Sequence, residues 1–281
     1  MRRAILARSG ALGAVLLVLA GALSACGGAS GLGAAGRFTP RTPYTLTVAT
    51  AQVPDPGFWE GTVAHPTGGF EYGLARALAS RFGLSRVAVV EVPFKQLTAG
   101  NLRGADLALS DITVTKQRAE HVDFSESYLD APPAILVRPG TEVPDVHAAQ
   151  ALSWAVQDGT TLQEALAEAI EPAAPAQVLE HQREVLLALR VGRARAVMLD
   201  LPVALAYARE APRTYAVAAQ LPSEAVLAAA LPKGSENLEA LDSAIRAFKA
   251  DGTIERLGQE WLHTDLQDGR DEEVPALRTD E

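Results

Sequence analysis

Cysteine is almost absent from this sequence: its 281 residues contain one, Cys26. A single thiol excludes an intramolecular disulfide and any cysteine-built metal site. Long basic runs are missing as well. With a net charge of −9, the chain lacks the clustered cationic face that nucleic acid requires. The five histidines, His65, His121, His147, His181 and His263, are scattered. No Ser-His-Asp arrangement, phosphate loop or metal cluster emerges, so neither a cofactor nor a metal is expected. The apolar run at residues 11–19 is too short to span a bilayer comfortably.

What is present near the N-terminus reads as an export signal. Arg2, Arg3 and Arg8 precede the apolar run, and Leu23-Ser24-Ala25-Cys26 follows it, the order of a secretory signal peptide. The last four residues resemble a bacterial lipobox. That resemblance implies acylation of Cys26 and an extracytoplasmic protein anchored to the cell membrane; the alternative is an ordinary signal peptide containing a cysteine. Residues 27–42, rich in Gly, Ala, Thr and Pro, read as a flexible tether. Residues 268–281 carry six acids against two arginines and read as a solvated acidic tail from about residue 266.

Between these ends, 48% hydrophobic content suffices for one or two cores. Residues 44–49 alternate as a strand, and Phe70, Leu74, Leu78 and Phe82 recur at helical spacing up to Gly83. Strands at 87–92, 107–109, 154–156, 196–199 and 226–231 interleave with helices at 94–102, 162–170, 185–191, 202–209, 236–250 and 253–262. Alternating βα units imply parallel sheets covered by helices. Residues 102–111 and 189–200 share a plan: helix end, Gly turn, apolar strand, then Asp. Ligands of open α/β sheets sit beyond such strand ends.

Polar groups cluster at those ends. Arg118 follows the 107–109 strand and offers a planar fork suited to a carboxylate, or it is a surface arginine. Thr115 suits an N-cap, and Thr113 adds a hydroxyl. Thr161 with Glu164 fits a capping box, at a helix start able to seat an anion or serving structure alone. Asp200 either receives an ammonium or caps the helix that starts near Pro202.

The run Gly69-Phe70-Glu71-Tyr72-Gly73-Leu74 resembles the GFDxDL segment of the polar amino acid substrate-binding proteins, the bacterial solute-binding family 3. Thr113-Val114-Thr115-Lys116-Gln117-Arg118, with Val122-Asp123-Phe124-Ser125-Glu126-Ser127-Tyr128, is similar to that family's TITxxR…DFSxPY signature. Val156-Gln157-Asp158-Gly159-Thr160-Thr161 resembles its VQxGTT loop, and residues 196–204 its DAVxxDxPxA segment. Lys249-Ala250-Asp251-Gly252-Thr253, with Trp261 beyond, resembles its closing KADGT…W. The matches fall in family order.

The resemblance implies a two-lobed α/β periplasmic-binding-protein-like fold of type II, with a two-strand hinge. Lobe one would comprise residues 43–129 and 227–265, and lobe two residues 130–226. It implies a monomer without enzymatic activity that captures an amino acid for an ABC permease and ATPase. By position, Arg118 and Thr113 would hold the ligand carboxylate with the backbone of Gly159, Thr160 and Thr161. Asp200 would hold the ammonium. Asp111 stands where Gly or Ser is usual, which adds a carboxylate that suits a cationic side chain or is merely an exposed loop acid. Gly73 replaces the second motif acid. Phe58 or Trp59 would supply the aromatic that stacks on the ligand.

Three other readings differ in kind. A cyclohexadienyl or arogenate dehydratase on this fold needs an acid in the cleft, for which Glu71 and Glu60 are the nearby glutamates. A lytic transglycosylase would need a lysozyme-like domain where the acidic tail stands. A sensor lipoprotein would bind the same ligand without transport.

Overall fold

The computed structural model describes residues 37–263 and 274–278; the signal segment with Cys26, the tether up to residue 36 and the rest of the tail lie outside the described residues. The first sheet gathers β1 (Thr45–Thr50), β4 (Arg86–Glu91), β5 (Leu107–Ala108), β6 (Val122–Asp130) and β12 (Val226–Pro232), in the order β4-β1-β5-β12-β6. β1 runs parallel to β4 and β5, while β12 runs antiparallel to β5 and β6. A small ribbon, β2 (Glu60–Gly61) with β3 (Pro66–Gly68), lies between β1 and β4 in the chain.

The second sheet holds β7 (Pro133–Val137), β8 (Trp154–Gln157), β9 (Gln177–Leu179), β10 (Ala196–Asp200) and β11 (Ala216–Gln220), ordered β11-β7-β10-β8-β9. Every residue of β7 and β10 is buried, as expected of central strands covered on both faces. The chain passes between sheets twice, through Ala131-Pro132 and through residues 221–225. The two passages are bonded side by side, Ala131 N–H to the Ala225 carbonyl at 2.9 Å and Leu221 N–H to the Pro133 carbonyl at 2.8 Å. This is the expected two-strand hinge between two α/β halves.

Helices α1 (Phe70–Arg81), α2 (Phe94–Thr98), α7 (Leu238–Ala250) and α8 (Thr253–Leu257) belong to the first half. The second carries α3 (Val146–Gln150), α4 (Thr161–Ala165), α5 (Gln182–Arg190) and α6 (Leu201–Glu210). The departure at Gly73 has a packing cause. A Cβ there would lie 2.5 Å from Leu257 Cδ2, so the acid of the related motif would fit only if the Leu257 side chain moved aside.

Both chain ends correct the reading from composition. Arg37 to Thr42 is not loose tether: the Phe38 ring stacks on Phe82 at 4.3 Å, and Arg41 N–H donates to Asp106. Nor are residues 274–278 a free, fully solvated tail: Val274 and Leu277 are buried, with Pro275, Ala276 and Arg278 left exposed. Gln220 N–H donates to the Pro275 carbonyl, Leu277 N–H returns to Gln220, and Val146 N–H donates to Arg278. Leu277 joins the apolar cluster of Ile135, Trp154 and Met198. Burial of Val274 and Leu277 outweighs the acidity of their neighbours.

Candidate functional site

A cleft between the two halves collects the polar residues that leave the strand ends. Among those lining it are Asp111, Thr113 and Arg118 from the first half and Thr160, Thr161 and Asp200 from the second. Gly159 is held beside it, its carbonyl accepting from Arg118 Nη2 at 3.2 Å. Seven of the nine expected ligand-contacting residues thus converge.

Arg118 sits at the start of a short 3-10 helix, Arg118–Glu120, where Thr115 Oγ1 accepts its backbone N–H. Its guanidinium is buried. Nη1 donates to the Thr113 carbonyl at 2.8 Å, and the group lies 5.2 Å from the Phe94 ring centroid, a cation–π arrangement. Burial lowers its pKa from the ordinary arginine value while the charges of Asp200, Glu164 and Asp111 oppose that. Two N–H donors go to carbonyls, and a guanidinium has five, so others remain to meet an anion.

Opposite it stands a pair of acids. Asp200 is the N-cap residue of α6 but makes no side-chain cap hydrogen bond. Its carboxylate is instead buried against Asp111. Burial chiefly raises the Asp111 pKa, and the charges of Asp200, Glu71 and Asp55 add to it, so Asp111 keeps its proton and donates to Asp200. Asp200 is also raised by burial, with the Asp111 hydrogen bond and Arg118 pulling it back. The two Asp residues that end the related sequence plans therefore meet across the cleft. Asp111 Oδ1 is buried without a hydrogen-bond partner among the described residues, an arrangement native proteins seldom leave unsatisfied.

Asp111 owes its position to Glu71. Its backbone is left-handed, φ 53°, and its N–H donates to Glu71 Oε1 at 2.8 Å. Glu71 also accepts from Tyr128 OH at 2.6 Å and the Trp59 indole N–H at 2.7 Å. Sealed under three donors and raised in pKa by burial, it does not line the cleft. Glu60 Oε1 is occupied by the Gly57 N–H.

Two expectations fail locally. Phe58 and Trp59 are fully buried in the first half, Phe58 edge-on to Phe70 at 6.1 Å, and neither reaches the cleft. The turn is the reason: Phe58 N–H and Trp59 N–H both donate to the Asp55 carbonyl, and Asp55 N–H donates to Trp59. That closure points the rings inward and Asp55 into the cleft. The expected capping box at Thr161 and Glu164 does not form, because Thr160 is the N-cap. Thr161 Oγ1 reaches across to Thr113 Oγ1 at 3.3 Å instead.

The aromatic that does line the cleft is Phe94, joined by Asp55 and Gln182. Asp55 Oδ1 accepts from Gln182 Nε2 at 3.1 Å and Tyr207 OH at 3.0 Å. Its pKa is pushed up to about 7, first by burial, with the charges of Glu71 and Glu60 adding and the Tyr207 and Gln182 hydrogen bonds opposing.

These raised carboxyls fix a pH dependence. The closed, folded form holds protons on them that the same groups release in water. The Asp55 contribution to stability is complete near pH 4 and is lost as pH rises through about 7. The ligand-free protein will therefore melt at a higher temperature at pH 6 than at pH 8. Asp55→Asn will flatten that dependence; thermal denaturation of both proteins across this range checks it.

A hinged pair of α/β halves enclosing a cleft of opposed fixed charges defines a two-lobed binding protein, a clamshell that takes a small solute between its halves. Residues 46–264 match the family model of bacterial extracellular solute-binding proteins, family 3, and the chain belongs to that family. It is 25% identical over 201 residues to the L-cystine-binding protein TcyJ of Escherichia coli (strain K12), covering 70% of this chain and 75% of that protein. A solved ancestral arginine-binding protein bound to glutamine is 27% identical, with a TM-score of 0.69, covering 78% of this chain and 98% of the other. An ancestral amino acid-binding protein, a precursor of cyclohexadienyl dehydratase, is 30% identical with a TM-score of 0.67, over 78% of this chain and 95% of the other. No helix among the described residues is long and apolar enough to cross a membrane.

Proposed function

We propose that this protein binds an amino acid in the cleft and delivers it to an ABC importer, from the outer face of a membrane to which a lipid on Cys26 anchors it. The opposition of Arg118 to the Asp111–Asp200 pair carries the reading. A zwitterion leaves water only if both ends are paired, because an unpaired buried charge costs several kcal/mol. Arg118, with Thr113 and the backbone of residues 159–161, suits the carboxylate. Asp200 and the unpartnered Asp111 Oδ1 suit the ammonium. The relatives support the ligand class, being named for cystine, arginine or amino acid binding.

Binding without catalysis fits the chemistry of the same residues. Of the acids a dehydratase could use at the reacting centre, the two glutamates are committed elsewhere, Glu71 under three donors and Glu60 to Gly57. The cleft's own acids, Asp55, Asp111 and Asp200, are those a bound ligand's cations would pair. Turnover of prephenate by the purified protein would overturn this part.

A thermal-shift panel of the twenty amino acids with ornithine and citrulline tests the reading. A tight ligand will raise the melting midpoint by mass action, and no shift with any member would sink it. Mass spectrometry of the mature protein will find acyl chains on Cys26; a free thiol there refutes the anchor.

A further inference from the structure

The cleft gathers more carboxyl groups than the single ammonium of an amino-acid zwitterion can pair. Three carboxyls converge there, Asp55, Asp111 and Asp200, against one buried arginine. The other cation on its lining, Arg183, leans away to Glu91 at 3.8 Å. Glu71 is excluded from the count by its three donors. One proton shared by Asp111 and Asp200 leaves that pair with a single negative charge, which Arg118 offsets. Asp55 is then left over. A zwitterion adds a charge of each sign and changes nothing.

We propose that Asp55 is the residue that selects the ligand's side chain, and that it selects a cationic one, an ammonium or a guanidinium. The inference rests on the amino-acid reading of the cleft and deepens it. Three observations support Asp55 in particular. It comes from the first half but is bonded to the second, through Gln182 of α5 and Tyr207 of α6. Both bonds fall on Oδ1, which leaves Oδ2 to face a ligand donor. Tyr207 OH is itself braced by Gln52 Nε2 at 3.1 Å, so the acid is held in place before any ligand arrives.

Around Asp55, the ionisable groups are Glu60 on its own loop, Glu71 on α1, Asp111 after β5 and Tyr207 on α6. His181 and Arg183 line the same cleft from the start of α5. The acids among them raise the demand for a cation. With a neutral ligand the closed cleft meets that demand by keeping a proton on Asp55; with a cationic ligand the side chain takes the proton's place.

Arginine and citrulline have nearly the same shape and differ in this charge, so calorimetry with the full mature protein separates the two cases. Wild type will prefer L-arginine or L-lysine over L-citrulline by roughly tenfold or more, the scale of a hydrogen bond to a charged group. In Asp55→Asn that preference will collapse to within about threefold. Equal wild-type affinities for arginine, lysine and citrulline, or an unchanged ratio in the variant, overturn the proposal.

Wild type alone supplies a second readout that does not depend on the variant folding. Titrations in buffers of different ionisation enthalpy count protons. Near pH 6, citrulline binding will retain up to about one proton more than arginine binding, and the two will converge above pH 8. Identical proton counts at both pH values also overturn it. Tight binding of neutral amino acids only would defeat this inference and leave the amino-acid reading standing; no binding of any amino acid would defeat both.

Discussion

Arg118→Ala will abolish measurable amino-acid binding. The ligand carboxylate would enter a cleft of three carboxyls whose remaining arginine, Arg183, leans away to Glu91. Leaving one partner of a buried pair alone costs about 3–5 kcal/mol, which is roughly a hundredfold to several thousandfold in affinity. Arg118→Lys will recover only part of this. An ammonium keeps the charge but loses the fork that now reaches the Thr113 and Gly159 carbonyls together. Calorimetry on both variants decides the matter, with a thermal melt to show that each is folded. Near-normal affinity in the alanine variant would remove Arg118 from the site.

The second large effect belongs to a pair. Asp200→Asn alone will weaken binding by about ten- to a hundredfold, because Asp111 can release its proton and serve the ammonium in its place. The double variant Asp111→Asn, Asp200→Asn removes both anions and will bind no amino acid detectably. Two adjacent carboxyls in contact make this non-additivity the expected pattern. A double variant that still binds tightly would place the ammonium elsewhere.

Particular residues show how far the amino-acid order carried the structure and where it stopped. Asp200 ends an apolar strand and Arg118 lies in the segment beyond another, places where α/β sheets present ligand-facing groups, and the family motifs around them singled the two out. The polar aromatic loop was not legible in this way. Pro54-Asp55-Pro56-Gly57-Phe58-Trp59 spells the same turn whether its rings face the core or the cleft. Three backbone hydrogen bonds at Asp55 decide the matter, and none has a signature in side-chain type. Thr161 failed for a similar reason: Thr160 and Thr161 are equally good caps on paper, and tertiary contact with Thr113 chose between them. β6 and β7, the strands that lead into and out of the first hinge passage, hid behind the family signature and a proline-rich stretch. The tail misled through its average. Its acids are conspicuous, but burial of Val274 and Leu277 decides where residues 274–278 lie.

That docked tail has a consequence for solubility. β11 is the outermost strand of its sheet, and an uncovered outermost strand offers its main-chain groups as a template for another molecule. Residues 275–277 occupy part of that template from within the same chain, bonding Gln220 on both its N–H and its carbonyl. Residues 275–277 thus guard that stretch of edge against self-association, a task independent of what the cleft holds.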